Sequence, residues 1–413
     1  MSLSATRRRF FAWAQGAFAL ASASSRAAAL NETPVDYYDK LGVAKIINAA
    51  GTYTVLTASI MPPSVQAAVA QAAQHPVRLL DLQKAAGEYL AKRLQCEGAL
   101  ITAGAASGIT LATAACVTRG HHEAIERIPV DLTGLKSQVI IQKAHRNEYD
   151  HAVTNCGVRF VEVETLEDYE KAFTANTAMA HYFNAAEAGS ISREDWIRVA
   201  HSHQVPCLND AAADVPPISN LWNYTKMGFD LVTFSGGKGM RGPQNTGLLL
   251  GRKDLIDAAV ANAMPNSATV GRGMKVAKEE IVGMVAAVDW FLSQSDEAME
   301  ADYTARANRI ADHLHGVPGL QARIAIPPVA NHIPHLVLTY DQTRVKISPT
   351  AVAETLRQGT PSIELNPATG HKHAHGVTGD EDAIVVGVWM LQPGEDMIVA
   401  RRLKEVLLNP LRS

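Results

Sequence analysis

Five short apolar runs constrain this chain more than anything else in it: SQVIIQKAH (137–145), TAMAHYFN (177–184), VPCLNDAAA (205–213), FDLVTFSG (229–236) and TGLLLG (246–251). A strand with one face in water alternates apolar and polar residues, whereas a strand covered on both faces does not. These runs are near-continuous, and RFVEVE (159–164) adds another strand. Segments of helical pattern separate them, among them GAASGITLATAACVTRG and SREDWIRVAHSHQ. Alternating strands and helices predict an α/β domain with a central, mostly parallel sheet. Past residue 280 the pattern changes. A long helical stretch ends at Gly316 and breaks between Ser293 and Asp296. It leads into ARIAI, HLVLTY, SPTAVAETLRQG, SIEL, DAIVVGVWML and GEDMIVARRLKEVLL, which read as a small α+β domain. The expected organisation is a leading segment at 1–29, an extended arm at 30–52, a large domain at 53–285, and a small C-terminal domain with its linking helix at 286–413.

The leading segment reads as an export signal. Arg7, Arg8 and Arg9 precede a weakly apolar run from Phe10 to Ala23, and Ala27, Ala28 and Ala29 supply small residues for cleavage. Paired arginines before a mild apolar core match twin-arginine export, which predicts a periplasmic or secreted protein. That route carries chains that have already folded, often around a cofactor. The run is too short and too rich in Ala and Ser for stable membrane insertion. Of the 413 residues, 47% are hydrophobic and 19% charged, enough to build a large core. A net charge of −3 without a basic patch argues against a nucleic-acid partner. Cys96, Cys116, Cys156 and Cys207 are scattered and read as buried thiols.

Four features carry chemistry. Lys238 lies in the turn Ser235-Gly236-Gly237-Lys238-Gly239 between two apolar strands, where glycines would let a flat ring approach. A lysine becomes a base or nucleophile when burial favours its neutral amine. Asp210, 28 residues earlier, ends an apolar strand, and carboxylates there face the ligand crevice of an open α/β sheet. Aspartate and lysine at successive strand ends are what pyridoxal 5'-phosphate (PLP) needs. The acid keeps the pyridine nitrogen protonated and the lysine holds the cofactor. Gly104-Ala105-Ala106-Ser107-Gly108 turns a strand into a helix whose first amides and Ser107 can take a phosphate, although helix-to-sheet packing accounts for the small residues equally. His145 follows a strand end, where it would stack on the ring. His371, His373 and His375 form a polar loop, and no metal site is expected there.

Phosphate turn, stacking group, aspartate and lysine occur in the order of the fold-type-I PLP enzymes, the aspartate aminotransferase-like class. The stretches TGLKSQVIIQKAHRNEYDHAV, VPCLNDAAADVPP, DLVTFSGGKGMRGPQNTGLLLGRKDLI and GRGMKVAKEEIVGMVAAVDWFL resemble the selenocysteine synthase-related group, in particular its glucosaminate-6-phosphate ammonia-lyase-like branch, over residues 35–405. The resemblance implies that Lys238 carries the cofactor and shuttles protons, Asp210 pairs with the pyridine nitrogen, and His145 stacks on the ring. It implies that Ala106 and Ser107 amides with Ser235 bind the phosphate, and that Arg272 and Lys275 reach a cofactor or substrate anion across a subunit interface. The selenium transferases act on charged tRNA and carry a further N-terminal domain. This chain has a signal-like segment there, so that reaction is not expected. Glu364 and Asn366 occupy the place where an arginine would grip a substrate carboxylate.

The reading is therefore an exported PLP-dependent lyase. It would catalyse α,β-elimination, of ammonia-lyase or dehydratase type, on a small-molecule amine substrate, an amino acid or amino sugar acid. It would act as a homodimer or larger homo-oligomer. Aminotransferase, aldolase and racemase chemistry start from the same lysine and remain alternatives. A non-catalytic binding protein that keeps the fold is the alternative outside enzymes.

Overall fold

The structure is a computed structural model that describes residues 35–184, 189–371 and 377–409. The signal-like segment 1–29 and the histidines at 373 and 375 lie outside these described residues. The chain divides into two units, Met1–Ile46 and Ile47–Ser413. In the first, the expected extended arm contains a helix, α1 (Tyr37–Leu41). The side chain of Asp36 accepts from the amides of Tyr38 and Asp39, and Gly42 ends the helix at φ 69°. This Asp/Gly pair of caps is the local signal that overrides an extended arm.

The second unit is built on a seven-stranded sheet of order β2-β8-β7-β6-β5-β3-β4. Its strands are β2 (Gly98–Thr102), β3 (Gln138–Gln142), β4 (Arg159–Val163), β5 (Thr177–Phe183), β6 (Cys207–Asp210), β7 (Leu231–Ser235) and β8 (Gly247–Gly251). Adjacent pairs from β4 through β7 run parallel, and β8 runs antiparallel to both β7 and β2. Both faces are buried, which explains the unbroken apolar runs. Val232, Phe234, Leu248 and Leu250 face one core with Tyr182 and Trp196. Leu231, Leu249, Leu208 and Met179 face the other, against the helix Gly104–Thr118.

The C-terminal part has its own core. The three-stranded sheet β12-β10-β9 is made of β9 (Gln321–Ala325), β10 (His335–Thr339) and β12 (Ile384–Gly387). A two-stranded pair joins β1 (Ile46–Ala49) to β11 (Ser362–Leu365). Tyr303, Ala307 and Ile310 of the helix Asp296–His313 pack here with Leu403 and Val406 of the helix Glu395–Leu408. The expected break falls at Ser293–Ser295, between the helices Lys278–Leu292 and Asp296–His313, and Ser295 caps the second through the amide of Ala298. Among the described residues no helix is long and apolar enough to cross a membrane.

Trp196 anchors the first core. It is 0% exposed and stacks on Tyr169 with ring centroids 3.9 Å apart, and its carbonyl accepts from the Tyr169 hydroxyl at 2.9 Å. Trp196→Ala should cost about 3–5 kcal/mol in urea unfolding. A loss below about 1 kcal/mol would contradict this packing.

Candidate active site

The chemical residues collect at the C-terminal ends of the parallel strands, as expected for an open α/β sheet. Asp210 is the last residue of β6 and is 3% exposed. Its Oδ1 accepts from the Ala212 amide at 3.1 Å, and its other oxygen has no hydrogen-bond partner among the described residues. Burial raises its pKa to about 6, against the opposing pull of the Ala212 amide and the Lys238 charge. Lys238 follows β7 and is half-buried. No hydrogen bond or ion pair holds its ammonium among the described residues. Burial depresses its pKa, and the nearby charges of Asp210 and Asp214 oppose that shift.

The glycines around Lys238 do not leave open space for a ring, as the motif alone suggested. A Cβ on Gly239 would lie 2.1 Å from the carbonyl oxygen of Val215, and one on Gly237 would lie 2.6 Å from that of Gln244. One on Gly236 would meet the Met284 sulfur and the Thr246 hydroxyl at 2.3 Å each. Neighbouring protein fills the room, so the glycines let backbone pack tightly under the lysine. Further bonds pin the turn: the Ser59 hydroxyl donates to the Gly237 carbonyl at 2.6 Å, and Arg241 donates to the Trp389 carbonyl at 2.8 Å.

Asp214 was not read from the sequence. It lies four residues beyond Asp210, in the same strand-end segment, and is 1% exposed. Its Oδ2 accepts from Asn184, which follows β5, and from the Tyr224 hydroxyl at 3.2 Å. Its Oδ1 is buried without a partner among the described residues. Burial also raises its pKa to about 6. Arg193, which opens the helix Arg193–Ser202, donates to Asn184 and lies over the rings of Tyr182 and Tyr224, 6.0 and 5.9 Å from their centroids. A second acid so close to Asp210 was the available signal. Asn184, Arg193 and Tyr224 join it only through tertiary packing.

His145 is brought to the same end of the sheet. It is 1% exposed and meets Tyr182 edge-on at 4.5 Å. Its Nδ1 accepts from the Phe183 amide at 3.3 Å. Burial first, and then Arg193, lowers its pKa to about 4, so the ring is neutral at pH 7. Nearby, the Gln142 side chain clamps Ile191, accepting from its amide at 3.1 Å and donating to its carbonyl at 3.2 Å.

The helix Gly104–Thr118 has no side-chain cap. By helix geometry the amides of Gly104, Ala105 and Ala106 therefore lack intrahelical acceptors. Ala106 is exposed, whereas the Ser107 hydroxyl turns back to the Ala103 carbonyl at 2.7 Å. Gly108 serves packing, because a Cβ there would lie 2.5 Å from the Thr233 hydroxyl. Ser235, the last residue of β7, is half-buried. Arg272 is half-buried and Lys275 exposed; neither side chain makes a hydrogen bond or ion pair among the described residues. Glu364 pairs with Arg357 at 3.1 Å and Asn366 donates to the Ala50 carbonyl at 2.9 Å, so both serve structure.

These groups suit a phosphorylated pyridine aldehyde. Among the described residues, Asp210 offers a free carboxylate oxygen to a ring N–H, Lys238 offers an unpaired amine, and the uncapped helix offers amides to a phosphate. The fold and the site define a PLP-dependent enzyme of fold type I. The L-seryl-tRNA selenium transferase (SelA) family pattern matches residues 46–306, and the chain belongs to that family. It is 30% identical to a 5'-C-glycyluridine monooxygenase-decarboxylase from a Streptomyces species, over 90% of this chain and 92% of that one. It is 28% identical to a D-glucosaminate-6-phosphate ammonia lyase from Salmonella typhimurium, over 89% and 97% of the two chains. A solved D-glucosaminate-6-phosphate ammonia-lyase superposes with a TM-score of 0.78 at 26% identity, covering 91% of this chain and 99% of that one.

The buried acids make stability depend on pH. The Asp210 carboxyl loses its proton near pH 3.8 in the unfolded chain but near 6 when folded, so its ionisation opposes folding increasingly across that interval. In urea unfolding of the cofactor-free protein, Asp210→Asn should gain stability relative to the wild type between about pH 4 and 7. An offset that stays constant across that range would contradict the assignment.

Proposed function

We propose that the chain is a PLP-dependent lyase that eliminates a β-substituent from a small amino acid or amino sugar acid and releases ammonia. The observation that carries this reading is the half-buried amine of Lys238, unpaired among the described residues, beside two buried carboxylates. The similarity to an ammonia lyase in sequence and structure supports it.

Lys238 would hold the cofactor, Asp210 its pyridine nitrogen, the first-turn amides at Ala106 and the Ser107–Ser235 side its phosphate, and His145 would bound the ring. When bound, PLP supplies an electron sink conjugated to the substrate's amine-bearing carbon. The rest falls to the protein. Burial biases Lys238 toward the neutral amine, which removes the α-proton. The resulting ammonium then protonates the departing β-hydroxyl, which leaves as water. Hydrolysis of the released enamine gives a keto acid and ammonia. Asp214 keeps a second negative charge beside Lys238 and so tempers the loss of its proton.

The relative named as a decarboxylase favours a second reading, loss of the substrate carboxylate as CO₂. An assay on amino acids and amino sugar acids, with no amino acceptor present, separates the two. Ammonia and keto acid in equal amounts support elimination, with Lys238→Ala slower by more than about 10³-fold. CO₂ without ammonia would replace it with decarboxylation. Keto acid without free ammonia, formed only when an amino acceptor is added, would indicate transamination.

We further propose twin-arginine export to the periplasm or medium, from Arg7–Arg9 and the run that follows, and assembly as a homodimer or larger. Arg272 and Lys275, which have no partners within the described chain, would then serve a neighbouring subunit's site. Cell fractionation and sedimentation test both; retention in the cytoplasm would refute the first and a fully active monomer the second.

A further inference from the structure

A second group of reactive side chains lies at the other ends of the same strands. Cys207 opens β6, Asp230 immediately precedes β7, and His201 stands in the last turn of the helix Arg193–Ser202. Asp210 and Ser235 close those strands, so Cys207 is separated from Asp210 by about 10 Å at the usual rise per residue. Nothing in the PLP chemistry uses these three residues.

Their reactive atoms converge. Nε2 of His201 is 3.0 Å from Oδ2 of Asp230. Sγ of Cys207 is 3.4 Å from the same oxygen and 3.9 Å from the His201 nitrogen. A tetrahedral zinc ion with bonds of about 2.0–2.3 Å sets its ligand atoms roughly 3.3–3.6 Å apart, close to this triangle. One sulfur, one imidazole nitrogen and one carboxylate oxygen form a donor set for a borderline divalent metal.

The surroundings hold these ligands in place. The Asp230 amide donates to the Cys207 carbonyl at 3.0 Å, which locks the two backbones together. The Cys207 amide donates to Asp230 Oδ2 at 2.8 Å, and Arg252 donates to Oδ1 at 2.9 Å. The carboxylate is thus oriented from outside, as metal-ligating carboxylates are, and Oδ2 is the oxygen turned to the sulfur and the imidazole. Arg252 is also paired with Asp254 at 2.7 Å. The His201 side chain is 44% exposed and that of Asp230 only 4%, so the group opens to solvent on the histidine side. An ion group of His201, Asp230 and Arg252 alone would need no sulfur at its centre.

We propose that His201, Cys207 and Asp230 bind one divalent cation of the zinc class, with solvent as a fourth ligand. Binding forms the metal–sulfur bond and releases the Cys207 proton to water.

The test uses the full-length, PLP-loaded protein, stripped of metal with a chelator and titrated with Co²⁺ while difference spectra are recorded. One equivalent should give a sulfur-to-cobalt charge-transfer band together with tetrahedral ligand-field bands, and Zn²⁺ should abolish both. Cys207→Ser should lose the charge-transfer band. His201→Ala should weaken Co²⁺ binding by more than about a hundredfold, beyond the loss expected from removing an orienting neighbour. His201 lies on the surface, so that variant stays informative even if Cys207→Ser fails to fold, and its unchanged PLP absorbance reports an intact active site. Absence of a thiolate band in the wild type would overturn the proposal. So would a band that survives Cys207→Ser, a Co²⁺ affinity unchanged in His201→Ala, or cobalt taken up only by the histidine-rich segment, which offers no sulfur.

Discussion

The structure turns on one electrostatic arrangement: a half-buried amine beside two buried carboxylates at the ends of neighbouring strands. Burial pushes Lys238 toward its neutral form and pushes Asp210 and Asp214 toward theirs. Their mutual attraction works against each of these shifts. Removing either acid would lower the lysine's proton affinity, and removing the lysine would raise that of the acids. A group balanced in this way changes protonation at small cost, which a proton shuttle requires.

The fold keeps that balance by rigidity more than by direct contacts to the amine. Gly236, Gly237 and Gly239 let the lysine turn press against the backbones at Val215 and Gln244, where any side chain would collide. Arg241 ties the turn to Trp389 of the C-terminal part, and Ser59 ties it to the segment before the first long helix. Asp214 is held by Asn184 and Tyr224, with Arg193 behind them. Among the described residues Lys238 is itself left unpaired, while those around it are bonded to one another.

Much of this was legible in the sequence because it rests on local pattern. Continuous apolar runs reported a sheet buried on both faces. The change of pattern between Ser293 and Asp296 marked the break between two long helices. Asp210 and Lys238 could be placed because strand ends in an open sheet face the crevice. What was missed depends on distant contacts or on caps that weigh little in a motif. The helix at Tyr37–Leu41 follows from one aspartate and one glycine. The glycines of the lysine turn were read as room for a ring, but that room is filled by residues more than 20 positions away for Val215 and more than 40 for Met284. Asn184, Arg193 and Tyr224 carry no sequence signal of their own. Cys207 looked like any buried thiol until its strand brought it beside Asp230.

The central claim is that Lys238 is the residue joined to PLP. The most direct measurement is the visible spectrum of the purified protein, followed by borohydride reduction and peptide mapping. The account predicts a yellow band that borohydride bleaches, with the label found on Lys238 and both features missing from Lys238→Ala. A band that persists in that variant, or a label on another lysine, would contradict it.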